Sequence, residues 1–147
     1  MKGLIPIPEY TANAAQTVAA GQNVLLTETP VPCKRGYVFH REGSGIITLR
    51  GVTNQCSARY RVSADANIAI AAGGNAGPIS VSLAITGEPL NSATAIVTPA
   101  AAGDLFNIHV EALIAVERGC CLTIALENSS TQTITTQNVN VIVDRVA

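Results

Sequence analysis

The sequence predicts an all-β chain: a single β-sandwich of the jelly-roll kind over residues 23–147, preceded by an extended N-terminal arm over residues 1–22. Three observations predict it. Apolar residues alternate with period two along most of the chain, turn-forming clusters interrupt them at short intervals, and no long stretch carries the period of about 3.6 expected of an amphipathic helix. An up-and-down barrel is the structural rival, because closed and layered β architectures share this pattern.

The clearest strands come first. In "PISVSLAITG" Ile79, Val81, Leu83 and Ile85 share one face, with Ser80, Ser82, Ala84 and Thr86 on the other. In "LFNIHVEALIAVERG" Phe106, Ile108, Val110, Ala112, Ile114 and Val116 point inward, and Asn107, His109 and Glu111 point outward. The Arg118-Gly119 turn ends that long strand, and "CLTIALEN" returns with Leu122, Ile124 and Leu126 on one side. In the final segment Ile134 and Thr136 are out of phase with Val139, Val141 and Val143, so a β-bulge near Gln137-Asn138 is expected. Earlier strands are expected at 23–27, 46–52, 58–63, 67–71 and 93–98, separated by "REGSG", "AAGGNAGP", "TGEPLNS" and "PAAAGD". Before Gln22 the alternation is absent. Pro6 and Pro8 remove backbone donors there, and two readings stand: a frayed terminus, or an arm that docks on a partner.

A chain of 147 residues supports one domain with a real core. Apolar residues make up 48% and charged residues 13%, against about 25% in an average soluble domain. So sparsely charged a surface is better suited to burial against copies of itself than to a free monomer. "MKGLIPIPEYTANAAQ" is broken by Pro6, Pro8 and Glu9 before an export-signal core could form, and no run reaches the roughly 20 apolar residues of a membrane span. The expectation is a protein made and kept in the cytosol unless lysis releases it.

Cys33, Cys56, Cys120 and Cys121 are then expected to be reduced, and to pack as small hydrophobes. Adjacent Cα atoms lie about 3.8 Å apart, short of the roughly 4.4–6.8 Å usual across a disulfide. A Cys120–Cys121 bridge would be strained, and neighbouring strand residues face opposite sides, away from any one metal. A redox switch or a site shared between subunits are the other readings of the pair, and a Cys33–Cys56 cross-link after lysis is a further one. No Cys-x-x-Cys spacing, nucleophile elbow, calcium loop or phosphate-binding glycine motif occurs, so neither an enzyme nor a cofactor or metal is expected. His40 and His109 read as exposed-face or interface histidines, and His109, on the polar side of a long strand, suits a subunit contact.

Net charge is only -1, but Lys34, Arg35, Arg41, Arg50, Arg59 and Arg61 crowd one segment opposed only by Glu42. Ordinary solvated charge, a basic face for an acidic partner surface and single-stranded nucleic acid are the three readings. The last is the weakest, because aromatics are 3% of the chain and the pI is near 6.1. Neither nucleic acid nor membrane is expected as a partner.

Taken together, "NVLLTETPVP", "HREGSGIITLRG", "GPISVSLAITGEPL", "IVTPAAAGDLFNI", "RGCCLTIALENSS" and "QNVNVIVDRVA" resemble short virion structural proteins of phages and prophages of Gram-positive gut anaerobes, over about residues 16–147. "AITGEPL" and "FNIHVEALIAV" are also similar to the C-terminal trimerising domain of bacterial collagen-like surface proteins, a tumour-necrosis-factor-like (TNF-like) or C1q-like jelly roll. The resemblance implies a homotrimeric head decoration protein on the capsid exterior, assembled in the host cytoplasm with the major capsid protein as partner. Capsid docking then falls to Leu4, Ile5, Pro6, Ile7 and Pro8 with Lys34, Arg35 and Arg41, and the trimer interface to Tyr60, Asn107, His109 and Glu111. The alternative is a trimer that presents "AAGGNAGP" and "TGEPLNS" to a receptor or host-surface glycan; these loops lack the stacking aromatics that sugar sites usually use.

Overall fold

Alternation over short segments dictates strands that bury one face each, and two such sheets can only satisfy that by packing together. The computed structural model describes residues 7–33 and 36–147 and contains eleven strands and no helix among them. They are β1 (Glu9–Ala12), β2 (Gln16–Val18), β3 (Glu28–Val31), β4 (Val38–His40), β5 (Ile47–Arg50), β6 (Ser57–Ile70), β7 (Ile79–Ile85), β8 (Glu88–Val97), β9 (Phe106–Glu117), β10 (Cys121–Asn128) and β11 (Ile134–Arg145). One sheet runs β3-β1-β11-β6-β9, with β2 also paired to β11; the other runs β4-β5-β10-β7-β8. Every pairing is antiparallel.

The register sets which side chains meet. Tyr10, Val141, Ala64 and Val110 form one row across four strands of the large sheet, and all four are buried. Ile47, Leu49, Val81, Leu83, Ile124 and Leu126 of the second sheet face them across the core. Leu26, Leu49 and Leu83 are almost completely buried, so cutting any one to Ala costs about 2–5 kcal/mol. The expected bulge is present: the β6–β11 register slips between Gln137 and Asn140, and Asn138 takes a left-handed φ of 53°.

Four expectations are corrected. Residues 23–27 form no strand, only an isolated bridge from Asn23 to Glu127. Residues 9–18 belong to the sheet: β1 pairs with β11 and β3, and β2 with β11. Their strands are three or four residues long and lie among prolines and polar residues, so no alternation is visible in them. The two strands expected at 58–63 and 67–71 are one, because the alternation of β6 continues through Ala64 and Ala66, both fully buried. Residues 88–92 are strand rather than loop, since the β7–β8 hairpin turns on Thr86 and Gly87 alone, with φ of 52° and 85°.

Candidate assembly interface

The outer face of the large sheet is where the register gathers polar side chains. Thr11, Asn140, Asp65 and His109 form one row across β1, β11, β6 and β9; Glu9, Ile142, Ser63 and Glu111 form the next; Asp144, Arg61 and Leu113 form a third. His109 Nδ1 lies 2.7 Å from Asp65 Oδ1 and its Nε2 lies 3.3 Å from Glu111 Oε1. Arg61 in turn reaches Glu111 at 3.4 Å and Asp144 at 3.8 Å. Asp65 above all, with Glu111 helping, holds the His109 imidazole above its ordinary pKa, although partial burial works the other way. Asn107 Nδ2 donates to Asn67 Oδ1 at 3.1 Å, and Asn67 Nδ2 donates to Asn138 Oδ1 at 3.2 Å.

Beside this network the face turns apolar. Leu113 is 71% exposed, and a groove of about 420 Å³ runs between it, Arg59, Arg61, Ala115 and Val146. β9 is also the free edge of its sheet. The other strands with a free side are shorter or carry proline: β2 and β4 have three residues each, β3 is four residues long and carries Pro30, and β8 has Pro89 near its start. β9 offers 12 residues with neither Pro nor Lys.

Asn107, His109 and Glu111 therefore share one exposed face. Tyr60 does not join them, and its assignment to that face is corrected. It is 0% exposed, and its phenol lies 2.6 Å from the Arg50 carbonyl oxygen and 3.2 Å from that of Tyr37, inside the sandwich. Its phase with Ala58 and Val62 was the signal for this. Leu113, missed from the sequence, is the most exposed apolar side chain of the face, which also carries Ile142; its neighbours in a run of apolar residues hid its outward phase. Phe106, expected inward, is 38% exposed at the first residue of its strand.

Among the proposed docking residues, Leu4, Ile5, Pro6, Lys34 and Arg35 lie outside the described residues. Ile7 is exposed, and Arg41 is exposed in the β4–β5 turn. Pro8 is buried and its carbonyl already accepts the Val143 N–H at 3.1 Å, which corrects its place in a free arm. The basic segment does not form one patch either: Arg59 and Arg61 lie on the large sheet's outer face, whereas Arg50 ends β5 of the other sheet.

The expectation of buried cysteines is also corrected. Cys56, Cys120 and Cys121 are exposed, and Cys33 is half-buried against the core. The first three meet at one end of the sandwich, where Arg118 N donates to Cys56 O, Gly51 N to Cys120 O and Gly119 N to Gly51 O. The loops "AAGGNAGP" and "TGEPLNS" lie at opposite ends of β7, so they do not form one joint surface. His40 Nε2 lies 2.8 Å from the Ser44 carbonyl, and no group of three or more His, Cys, Asp or Glu side chains among the described residues is placed to hold a metal.

This two-sheet arrangement is the TNF/C1q-like jelly roll. It is similar to Eiger TNF from S. frugiperda, with a TM-score of 0.68 and 11% identity over 97% of this chain and 94% of that one. It is also similar to the globular domain of the zebrafish complement 1qA protein, with a TM-score of 0.55 and 9% identity over 96% of this chain and 95% of that one. No family model and no curated protein sequence matches the chain.

Proposed function

We propose that the protein is a non-enzymatic jelly-roll module that closes into a homotrimer through the outer face and β9 edge of its large sheet. The observation that carries this reading is the unguarded edge of β9 beside the exposed Leu113. Such an edge invites pairing unless something covers it. The face carries Arg59 and Arg61 beside Asp65, Glu111 and Asp144, so a second copy supplies charges of both signs. An edge packed on a neighbour's face is a head-to-tail contact, which gives a ring when the rotation between copies closes and an open filament when it does not. Three as the number of copies rests on the resemblance to trimerising surface-protein domains.

The trimer's place, in the same proposal, is the exterior of a phage capsid as a head decoration protein, assembled in the host cytoplasm against the major capsid protein. That step rests on the sequence resemblance alone, with Leu4, Ile5, Pro6, Ile7, Lys34, Arg35 and Arg41 as the docking residues. A second reading, a receptor- or glycan-binding trimer, draws on the likeness to Eiger TNF and the complement 1qA domain. Neither nucleic acid nor membrane enters either reading.

Light scattering on the purified protein tests assembly: a mass of three 15.1 kDa chains is expected, and a monomer at micromolar concentration overturns the reading. Quantitative mass spectrometry of particles from an induced lysate tests the location. A copy number in the hundreds supports capsid decoration, a few copies point to tail or neck, and absence leaves the binding-module reading.

A further inference from the structure

We propose that protonation of His109 controls assembly through this face: copies of the chain associate more tightly when the imidazole is charged, and the assembly takes up protons as it forms. The inference rests on the self-association reading above, with a second copy of this chain as the occupant of the face.

The argument is one of charge balance. The groups touching His109 come from β6, the one strand paired with β9, and from β9 itself, and the charges beyond them reach through Arg61 to β11. Asp65 on β6 touches one ring nitrogen and Glu111 on β9 the other; Arg61 on β6 bridges Glu111 to Asp144 on β11. Three carboxylates thus share one guanidinium, and the network carries two excess negative charges when His109 is neutral and one when it is charged. The neighbours just outside do not alter this sense, because Glu9 on β1 adds a negative charge in the Glu111 row and Arg59 on β6 adds a positive one beside Ala115.

In the free chain the imbalance is tolerable. The side chains of Asp65, His109, Glu111 and Arg61 are 43–52% exposed, so water and salt screen them. A second copy laid over the face removes that screening, and unbalanced charge then becomes expensive. A proton on His109, held between two carboxylates, offsets part of the cost where it arises. Carboxylate contacts already raise the imidazole's affinity for protons in the free chain; covering the face strengthens them while desolvating the ring works against them, and the carboxylates win there as they do in the free chain. Each unit by which the pKa rises on assembly corresponds to about tenfold in affinity per subunit.

The test is sedimentation equilibrium of the full chain at about pH 6 and about pH 8.5, a window in which exposed carboxylates stay ionised. The wild type is expected to associate at least about tenfold more tightly at the lower pH. His109→Gln, which keeps hydrogen-bonding capacity without a titrating group, is expected to show a flat profile, and Asp65→Asn a profile shifted to lower pH. NMR titration of His109 in the same variants reports the proton itself. An oligomer whose affinity does not change with pH, one that tightens at high pH, or a His109→Gln profile like the wild type overturns the switch and leaves the assembly reading standing. A monomer at every pH removes both.

Discussion

The phenol of Tyr60 on β6 lies 2.6 Å from the carbonyl oxygen of Arg50 at the end of β5, so one hydrogen bond ties the two sheets together at the edge of the core. The Arg145 guanidinium stacks 4.2 Å from the Tyr37 ring centre and 5.9 Å from that of Tyr60, closing the same corner, and burial raises the Tyr60 phenol above its ordinary pKa. Tyr60→Phe keeps the ring and removes the donor. It is expected to cost about 1–2 kcal/mol in urea unfolding and to leave the oligomeric state unchanged. A variant of normal stability that no longer associates would return Tyr60 to the subunit contact.

Gly51 is fixed by space rather than by φ. Its N–H donates to Cys120 O at 2.8 Å, and a Cβ at this position would stand 2.0 Å from Glu117 O, a backbone atom that cannot step aside alone. Gly51→Ala is expected to lower stability by about 3 kcal/mol. Thermal unfolding checks it, with Gly43→Ala as the comparison, since Gly43 has open space around it but a φ of 91°.

The thiols divide three to one. Titration with an aromatic disulfide reagent is expected to find three fast groups, Cys56, Cys120 and Cys121, and a slower Cys33. Mass mapping after brief alkylation identifies them. Fewer than three fast groups would mean that the 51–56 and 117–121 loops are covered in solution.

Glu28 anchors β3 to β1. It accepts from Thr27 Oγ1 at 2.6 Å, from Thr11 Oγ1 at 3.0 Å and from Asn13 N at 3.3 Å, and the two hydroxyl contacts do most to hold its carboxyl below the ordinary value. A lowered folded-state pKa stabilises the fold above the unfolded value, and the contribution is lost as pH falls through the folded one. Glu28→Gln should therefore flatten the melting temperature between about pH 5 and about pH 3, where the wild type falls. The carboxylate is solvent-exposed, so the slope is modest, and equal slopes in both proteins would contradict the assignment.

The fold was most legible where side chains alternate in size as well as polarity. β7 was legible as a strand because Ile, Val and Leu alternate with Ser and Ala, although Ser82 and Ala84 on its second face are buried too, and the bulge announced itself as a change of phase before Val139. The Ser63–Ala66 stretch hid the continuity of β6, since alanine is apolar yet marks burial weakly. β1 to β4 were illegible as strands because Pro8, Pro30 and Pro32 punctuate them, and proline is tolerated beside a sheet edge where the missing N–H is not needed. Of the candidate face, Asn107, His109 and Glu111 were readable from the phase of β9, whereas the Asp65 contact was not. It depends on the β6–β9 register, which no local pattern encodes. The exposed cysteines follow from a turn that extends to Cys120, whose N–H donates to Glu117 O, one residue further than "ERG" suggests.

Pairing of β1 with β11 sets a delay on biosynthesis. Glu9 lies opposite Ile142, so two segments about 130 residues apart must meet before the large sheet is complete. At roughly 5–20 residues per second, a ribosome takes on the order of ten seconds to make the second after the first. For that interval Tyr10 and Ala12, both destined for the interior, have β3 beside them but lack Val141 and Val139, the β11 residues that lie opposite them. The seam that finishes the domain is the slowest kind of contact to form, a non-local β pairing, and it can close only once the last strand has been translated.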